Sequence, residues 1–169
     1  MPLPEALAFD VYGTLVDPLR VREELEQVAG EHAPAIARVW RQTQLEYTFR
    51  LTAMERYEDF EWVTHRALHQ AIAVAGVSLE AAAVDRLMAA YDRLERFDDV
   101  AEGLDRLHAA GHTLAILSNG TPRMLERLVL NSGLPTALLR LAEAVEQFLA
   151  RPPGPARRFG RLQGEPARA

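Results

Sequence analysis

The stretch ALAFDVYGTLVD, residues 6–17, decides how this chain is read. Residues 5–11, EALAFDV, are a short apolar run closed by Asp10 and followed by Gly13-Thr14, the pattern of a buried strand that ends in a turn. Open parallel sheets hold ligands at the carboxyl ends of their strands, so Asp10 is a candidate nucleophile. Taken alone, D-x-x-G-T is weak evidence, because an ordinary loop carboxylate accounts for it equally well. A second apolar run, HTLAILSNG at residues 112–120, closes on Ser118-Asn119 and would bring those side chains to the same crevice. The joint pattern favours function.

The sequence between the two runs is helical. Asp17-Pro18 supplies an N-cap and a first-turn proline for a helix to about Gly30. Pro34 opens a second, in which Ile36, Val39, Trp40, Leu45 and Phe49 recur at helical spacing. A third is expected over residues 57–76, and a fourth from Ser78, a good N-cap, to about Leu94. Asp98-Asp99 reads as the N-cap region of a helix that ends near Gly111, and Pro122 starts another that stops at Ser132-Gly133. The fold class is therefore α/β: a Rossmann-like parallel sheet core, incomplete, with four helices inserted. Residues 1–15 and 96–148 form the core and residues 16–95 the insertion. TALLRLAEAVEQFLA, residues 136–150, has helical character, and residues 149–169, rich in Pro, Gly, Arg and Ala, are expected to be a disordered tail.

Composition narrows the function. With 169 residues, 49% of them apolar, the chain can bury a core large enough for an enzyme. It has no Cys, which excludes disulfides, thiolate metal sites and a Cys nucleophile. A net charge of −5 argues against nucleic acid as a partner. No apolar stretch approaches the ~20 residues of a membrane span, and MPLPEALAF lacks the features of a signal peptide, so a cytoplasmic protein without a membrane partner is expected. All 19 basic residues are Arg.

DVYGTLVD, a helical insertion and then LAILSNG together resemble the haloacid dehalogenase superfamily, whose insertion is a cap over the site. More narrowly, WRQTQLEYTFRL and RYEDFEWVTHRAL look like the cap of bacterial L-2-haloacid dehalogenases. The resemblance implies hydrolytic dehalogenation of an L-2-haloacid to a 2-hydroxy acid through an ester on Asp10. It assigns Thr14, Ser118 and Asn119 to orienting Asp10 or holding the substrate carboxylate, and Arg41 to the departing halide or the substrate's charge. Tyr12, Gln42, Leu45 and Phe60 match positions lining the substrate pocket; core packing explains Leu45 and Phe60 nearly as well. Tyr12 stands where superfamily phosphatases usually carry an acid that protonates a poor leaving group. Halide needs no proton, so an aromatic residue can shape an apolar site there instead.

No cofactor and no metal are expected, since a monocarboxylate substrate does not demand Mg²⁺. His65 and His69, at i and i+4, lack the Glu of H-E-x-x-H and read as a solvated helix face. The family often dimerises through helical surfaces, which makes a homodimer an expectation. Its pattern also continues with a Lys-Pro pair and a fourth motif, whereas this sequence contains no Lys and no Asp after Asp105. AEAVEQF at 142–148 is the last segment that matches, which points to a frameshift or truncation near residue 148 and to a first strand left as an exposed edge. A buried nucleophilic carboxylate needs a nearby cation, so little activity is expected of this form. The alternatives are a superfamily phosphatase acting on a small phosphoester and a non-catalytic fragment.

Overall fold

The computed structural model describes residues 6–135 and Leu138. Strands β1 (Ala6–Phe9) and β2 (Thr113–Ile116) pair in parallel, with Ala6 opposite Thr113 and Phe9 opposite Ile116. Among the described residues they make up the whole sheet. β1 is shorter than the apolar run predicts, because the chain turns at once: the Val11 carbonyl accepts the N–H groups of Leu15 and Val16 at 2.9 and 3.0 Å. Leu114, Ala115 and Ile116 are buried, whereas Ala6 and Ala8 are exposed and Leu7 and Phe9 only half-buried. The outer edge of β1 is therefore unpaired among the described residues and apolar in composition.

Parallel neighbours require a crossover, and here it carries most of the helices. Asp17 caps a 3-10 turn at Pro18–Val21 by accepting from Leu19 N at 2.9 Å, and α1 (Arg22–Ala29) follows. α2 (Ala33–Ala53) starts with Pro34 in its first turn, as its sequence predicts. α3 (Phe60–Ala75) begins later than the expected Tyr57, because the Asp59 carboxylate takes the Trp62 N–H at 2.7 Å and fixes the start there. α4 (Ala81–Ala90) corrects a second expectation. Its N-cap is Glu80, in an extended conformation without a side-chain capping bond, and Ser78 lies outside the helix. A 3-10 turn at Tyr91–Arg93 closes the helical segment, and α5 (Val100–Ala109) leads into β2. Asp99 occupies the N-cap position of α5 but makes no side-chain bond there. α6 (Pro122–Ser132) is capped by Thr121, whose hydroxyl accepts from Met124 N at 3.2 Å, and ends on Gly133 with φ +69°.

Two features hold the helices against the sheet. Where the chain leaves and rejoins the sheet region, Val16 and Arg96 form an antiparallel bridge, flanked by Asp17 N to Glu95 O at 2.9 Å and Phe97 N to Leu15 O at 3.1 Å. From the other side, α6 reaches the insertion through Arg127 to Asp92, Asn131 to the Asp92 carbonyl and Arg123 to Glu61, each at 2.9 Å. One apolar cluster runs through both parts, from Val11, Leu15 and Val16 past Leu25, Ile36, Trp40, Leu68 and Leu87 to Leu125 and Leu128. Among the described residues no helix is long and apolar enough to cross a membrane.

Trp40 is the largest fully buried side chain of this cluster; its Nε1 donates to the Thr64 carbonyl at 2.8 Å. Trp40→Ala removes that volume together with a buried hydrogen bond, and a loss of about 3–5 kcal/mol is expected in urea unfolding. Arg86→Ala, on an exposed face of α4, should stay within about 0.5 kcal/mol of the parent chain.

Candidate active site

The turn after β1 carries the nucleophile candidate. Asp10 and Thr14 are both exposed, and the Thr14 hydroxyl donates to Asp10 Oδ2 over 3.5 Å, a long bond that biases the carboxylate's orientation. Between them Gly13 has φ +99°, and a Cβ there would lie 3.5 Å from Arg41 Nη2. Glycine thus permits the positive-φ turn, while a Cβ there would meet the guanidinium only in ordinary contact. Arg41 comes from α2, and its Nη2 donates to the Tyr12 carbonyl at 2.7 Å while its Nη1 donates to Gln44 Oε1 at 2.8 Å.

Behind Arg41 the polar chain continues into the core. Gln44 Nε2 donates to Thr64 Oγ1 at 2.7 Å, and that hydroxyl donates to the Phe60 carbonyl at 2.6 Å. Gln44 and Thr64 are both 0% exposed, and the Gln44 side chain also hydrogen-bonds Tyr91. Each of these buried groups has a partner, so the guanidinium plane of Arg41 is set by a continuous line of hydrogen bonds from α3 to α2.

Tyr12 forms an apolar wall next to the nucleophile. It is 4% exposed, with its ring 5.1 Å from Phe60 and 6.0 Å from Tyr91, and Tyr91 packs tilted against Trp40 at 4.8 Å. The Tyr12 hydroxyl is buried with no partner among the described residues. Burial raises its pKa well above the ordinary tyrosine value; the fields of Tyr91, Asp92 and Asp10 add to this and Arg41 opposes it. Burial likewise pushes Tyr91 up to about 12, against the opposing effects of Arg41 and Gln44. The end of β2 approaches the same ring. A Cβ on Gly120 would lie 3.2 Å from Tyr12 Cε2 and 2.9 Å from Leu125 Cδ2, so a larger residue there would crowd the ring and push the tip of Leu125 aside. Ser118 is half-buried and its Oγ accepts from Gly120 N at 3.2 Å, whereas Asn119 is exposed.

The predicted residues fall into separate groups. Asp10 pairs with Thr14, Tyr12 with Phe60, and Arg41 joins them through the Tyr12 backbone. Asn119 and Phe60 line a hollow of about 110 Å³ beside Thr48 and Val63. Arg41, Gln42 and Leu45 line another, of about 510 Å³, on the outer side of α1 and α2. Asp10, Thr14 and Ser118 line neither. Gln42 donates to Glu46 at 3.0 Å on the helix surface, and Leu45 is 42% exposed, so core packing does not account for it. Phe60, 7% exposed, does pack in the core. The residues that sequence reasoning missed are Gln44, Thr64, Tyr91 and Gly120. Gln44 sits three residues after Arg41 and its contact was readable from helical spacing; the others meet Arg41, Gln44 and Tyr12 only through long-range packing.

Among the described residues no group of three His, Asp or Glu is placed to hold a metal ion. His65 and His69 lie with ring centroids 4.6 Å apart on α3, and slight burial, the His65 charge and Arg66 lower the pKa of His69.

The family profile of the haloacid dehalogenase-like hydrolases matches residues 4–152, a span that takes in both strands, the helical crossover and α6. The chain belongs to that family. Within it, the chain is similar to an (S)-2-haloacid dehalogenase of Pseudomonas fluorescens, with 41% identity over 128 residues, 76% of this chain and 56% of that protein. The solved structure of L-2-haloacid dehalogenase from Xanthobacter autotrophicus is 38% identical and superposes with a TM-score of 0.74 over 80% of this chain and 55% of that one. The same enzyme with chloropropionic acid covalently bound gives the same values. This chain thus spans about half the length of the relatives it matches.

The two buried tyrosines make a pH prediction. An unfolded tyrosine releases its proton near pH 10, while folded Tyr91 keeps it to about 12 and folded Tyr12 keeps it higher still. The folded state therefore binds more protons than the unfolded one in this window, and stability should fall as pH rises above about 10, by up to about 1.4 kcal/mol per pH unit for each tyrosine. Urea midpoints measured from pH 8 to 11.5 should decline, and Tyr91→Phe should flatten the decline.

Proposed function

We propose that this chain carries the nucleophilic part of a hydrolytic L-2-haloacid dehalogenase, with Asp10 as nucleophile and the helices between Val16 and Arg96 as its cap. The observation that carries the reading is the Asp10–Tyr12 turn itself. A Thr14-oriented carboxylate stands two residues from a buried aromatic ring, with the Arg41 guanidinium drawn against the same turn.

In the first step an Asp10 oxygen attacks C2 of the haloacid from the side opposite the halogen. The new C–O bond forms as the carbon–halogen bond breaks, the halide leaves with the electron pair, and C2 inverts. No proton is needed on the leaving group, which suits a neutral Tyr12 in place of an acid. A guanidinium has five N–H donors, and the bonds of Arg41 to Gln44 and Tyr12 leave others for an anion. In the second step water adds to the ester carbonyl of Asp10, the 2-hydroxy acid departs, the proton passes to solvent, and the carboxylate is restored. Ser118, Asn119, Gln42, Leu45 and Phe60 belong to this reading as substrate contacts.

The expectation that Asp10 requires a cation rested on its burial. Asp10 is exposed, which removes the desolvation on which that argument depended. Slow turnover is instead expected at the second step, because among the described residues no cation is paired with Asp10 to stabilise the charge that develops when water attacks the ester.

Mass spectrometry of the purified chain after incubation with L-2-chloropropionate should find a 1-carboxyethyl ester on the peptide containing Asp10, with halide released in step. Asp10→Asn should form neither. If the folded chain forms no ester and releases no halide from any L-2-haloacid, the reading fails. Arg41→Lys keeps the charge but loses the planar donor fork, and ester formation should slow by about tenfold or more. An unchanged rate would remove Arg41 from the site.

A further inference from the structure

We propose that His65 and His69, on the outer face of α3, form a two-imidazole site for a divalent late transition-metal ion such as Ni²⁺, Cu²⁺ or Zn²⁺. Four residues of a helix advance the chain by little more than one turn, so side chains at i and i+4 stand one above the other. Here the two rings have centroids 4.6 Å apart and are tilted by 59°. Both histidines are exposed, while Val63, Thr64, Ala67 and Leu68 belong to the buried stripe of the same helix. Packing therefore gives no reason for either imidazole, and among the described residues neither ring makes a hydrogen bond or ion pair. Metal–nitrogen bonds of about 2.0–2.1 Å put neighbouring nitrogens on one ion roughly 3 Å apart, a separation that rings centred as these are reach by rotating about their own side-chain bonds.

The surroundings choose the class of ion. Glu61, one turn before His65, is engaged by Arg123 at 2.9 Å, and among the described residues no third His, Asp or Glu is placed with the pair, so water fills the remaining positions. Mg²⁺ and Ca²⁺ take oxygen ligands, whereas imidazole suits Ni²⁺, Cu²⁺ and Zn²⁺. Arg66, the cation next to His65 in sequence, has its guanidinium carbon 5.7 Å from the centre of the Trp62 ring, an attraction that draws its charge back along the helix. Neither histidine lines the hollow beside Asn119 and Phe60 or the one beside Arg41, so the site is separate from the candidate active site. It is nevertheless tied to it mechanically: His65 follows Thr64, whose hydroxyl accepts from Gln44 and whose carbonyl accepts from Trp40 on the inner face of α3. An ion chelated across residues 65–69 fixes this turn and favours the folded chain, because the unfolded chain does not hold two imidazoles side by side.

The test titrates Ni²⁺ into the untagged 169-residue chain by calorimetry, in a buffer that does not chelate metals. One ion per chain should bind, and an equal concentration of Mg²⁺ should not displace it. With the first imidazole bound the second closes intramolecularly, so His65→Ala and His69→Ala should each weaken binding about tenfold or more. His108→Ala should not, because α5 ends at Ala109 and helical spacing does not pair His108 with His112. Moving the second imidazole by one residue, with His69→Ala and Gln70→His together, swings it about 100° around the helix and should leave binding weak. Ni²⁺ at about ten times its Kd should also raise Tm by about 3 °C or more in the parent chain and not in His69→Ala. Absence of Ni²⁺ binding, displacement by Mg²⁺, undiminished affinity in His69→Ala, or full affinity in the combination with Gln70→His would each overturn the proposal.

Discussion

The hydrogen bond from Arg41 to the Tyr12 carbonyl ties the helical segment to the sheet, and much of the local order depends on it. At 2.7 Å it joins a side chain of α2 to the backbone of the turn that begins at Asp10. Its strength is more than local, because the other arm of the guanidinium is anchored through Gln44 and Thr64 to the first turn of α3. Charge-assisted bonds in a partly dry setting are stronger than neutral ones, and removing one member of a fully paired buried chain strands its neighbours. The position of α3 is thereby registered against the turn after β1 through two helices.

The aromatic cluster completes the arrangement from the apolar side. Tyr12, Phe60, Tyr91 and Trp40 form a continuous run of tilted rings between the turn, α3, the 3-10 turn at Tyr91–Arg93 and α2. The Tyr12 hydroxyl, unpaired among the described residues, has a cost that phenylalanine at the same place would not carry. Gly120 then lets the end of β2 touch this ring directly, so both strand ends converge on one side chain even though the polar candidates at those ends do not share a single hollow.

The parts legible in the sequence are those with local chemical causes. Thr121-Pro122 and Gly133 bracket α6, Asp17-Pro18 caps its turn, and the two apolar runs become the two paired strands. Ser78 misled because a good capping residue acts only where the chain already turns extended-to-helical, and that happens at Glu80. Asp10 and Thr14 were legible together because four residues of one turn bring them together. Thr64 and Tyr91 were not, since their roles exist only after α3 and the Tyr91–Arg93 turn pack on α2. Leu45 shows the limit of residue type as a guide: an apolar side chain at helical spacing lies on the outer face. The segment 136–150 and the tail, apart from Leu138, lie outside the described residues.

The antiparallel bridge between Val16 and Arg96 has an architectural consequence. A long segment whose two ends emerge side by side is topologically a cassette: it closes its own loop before rejoining the sheet, and further length adds only logarithmically to the entropy of closure. Helices beyond such a neck can lengthen, shorten or be exchanged while the strand register of Ala6 to Thr113 is left alone. Here the constraint on exchange comes from α6, which grips Asp92 and Glu61 from outside the neck. Any replacement would have to present equivalent acceptors on that flank, so the freedom to diversify is greatest at the far ends of α1 and α2 and least along the surface facing α6.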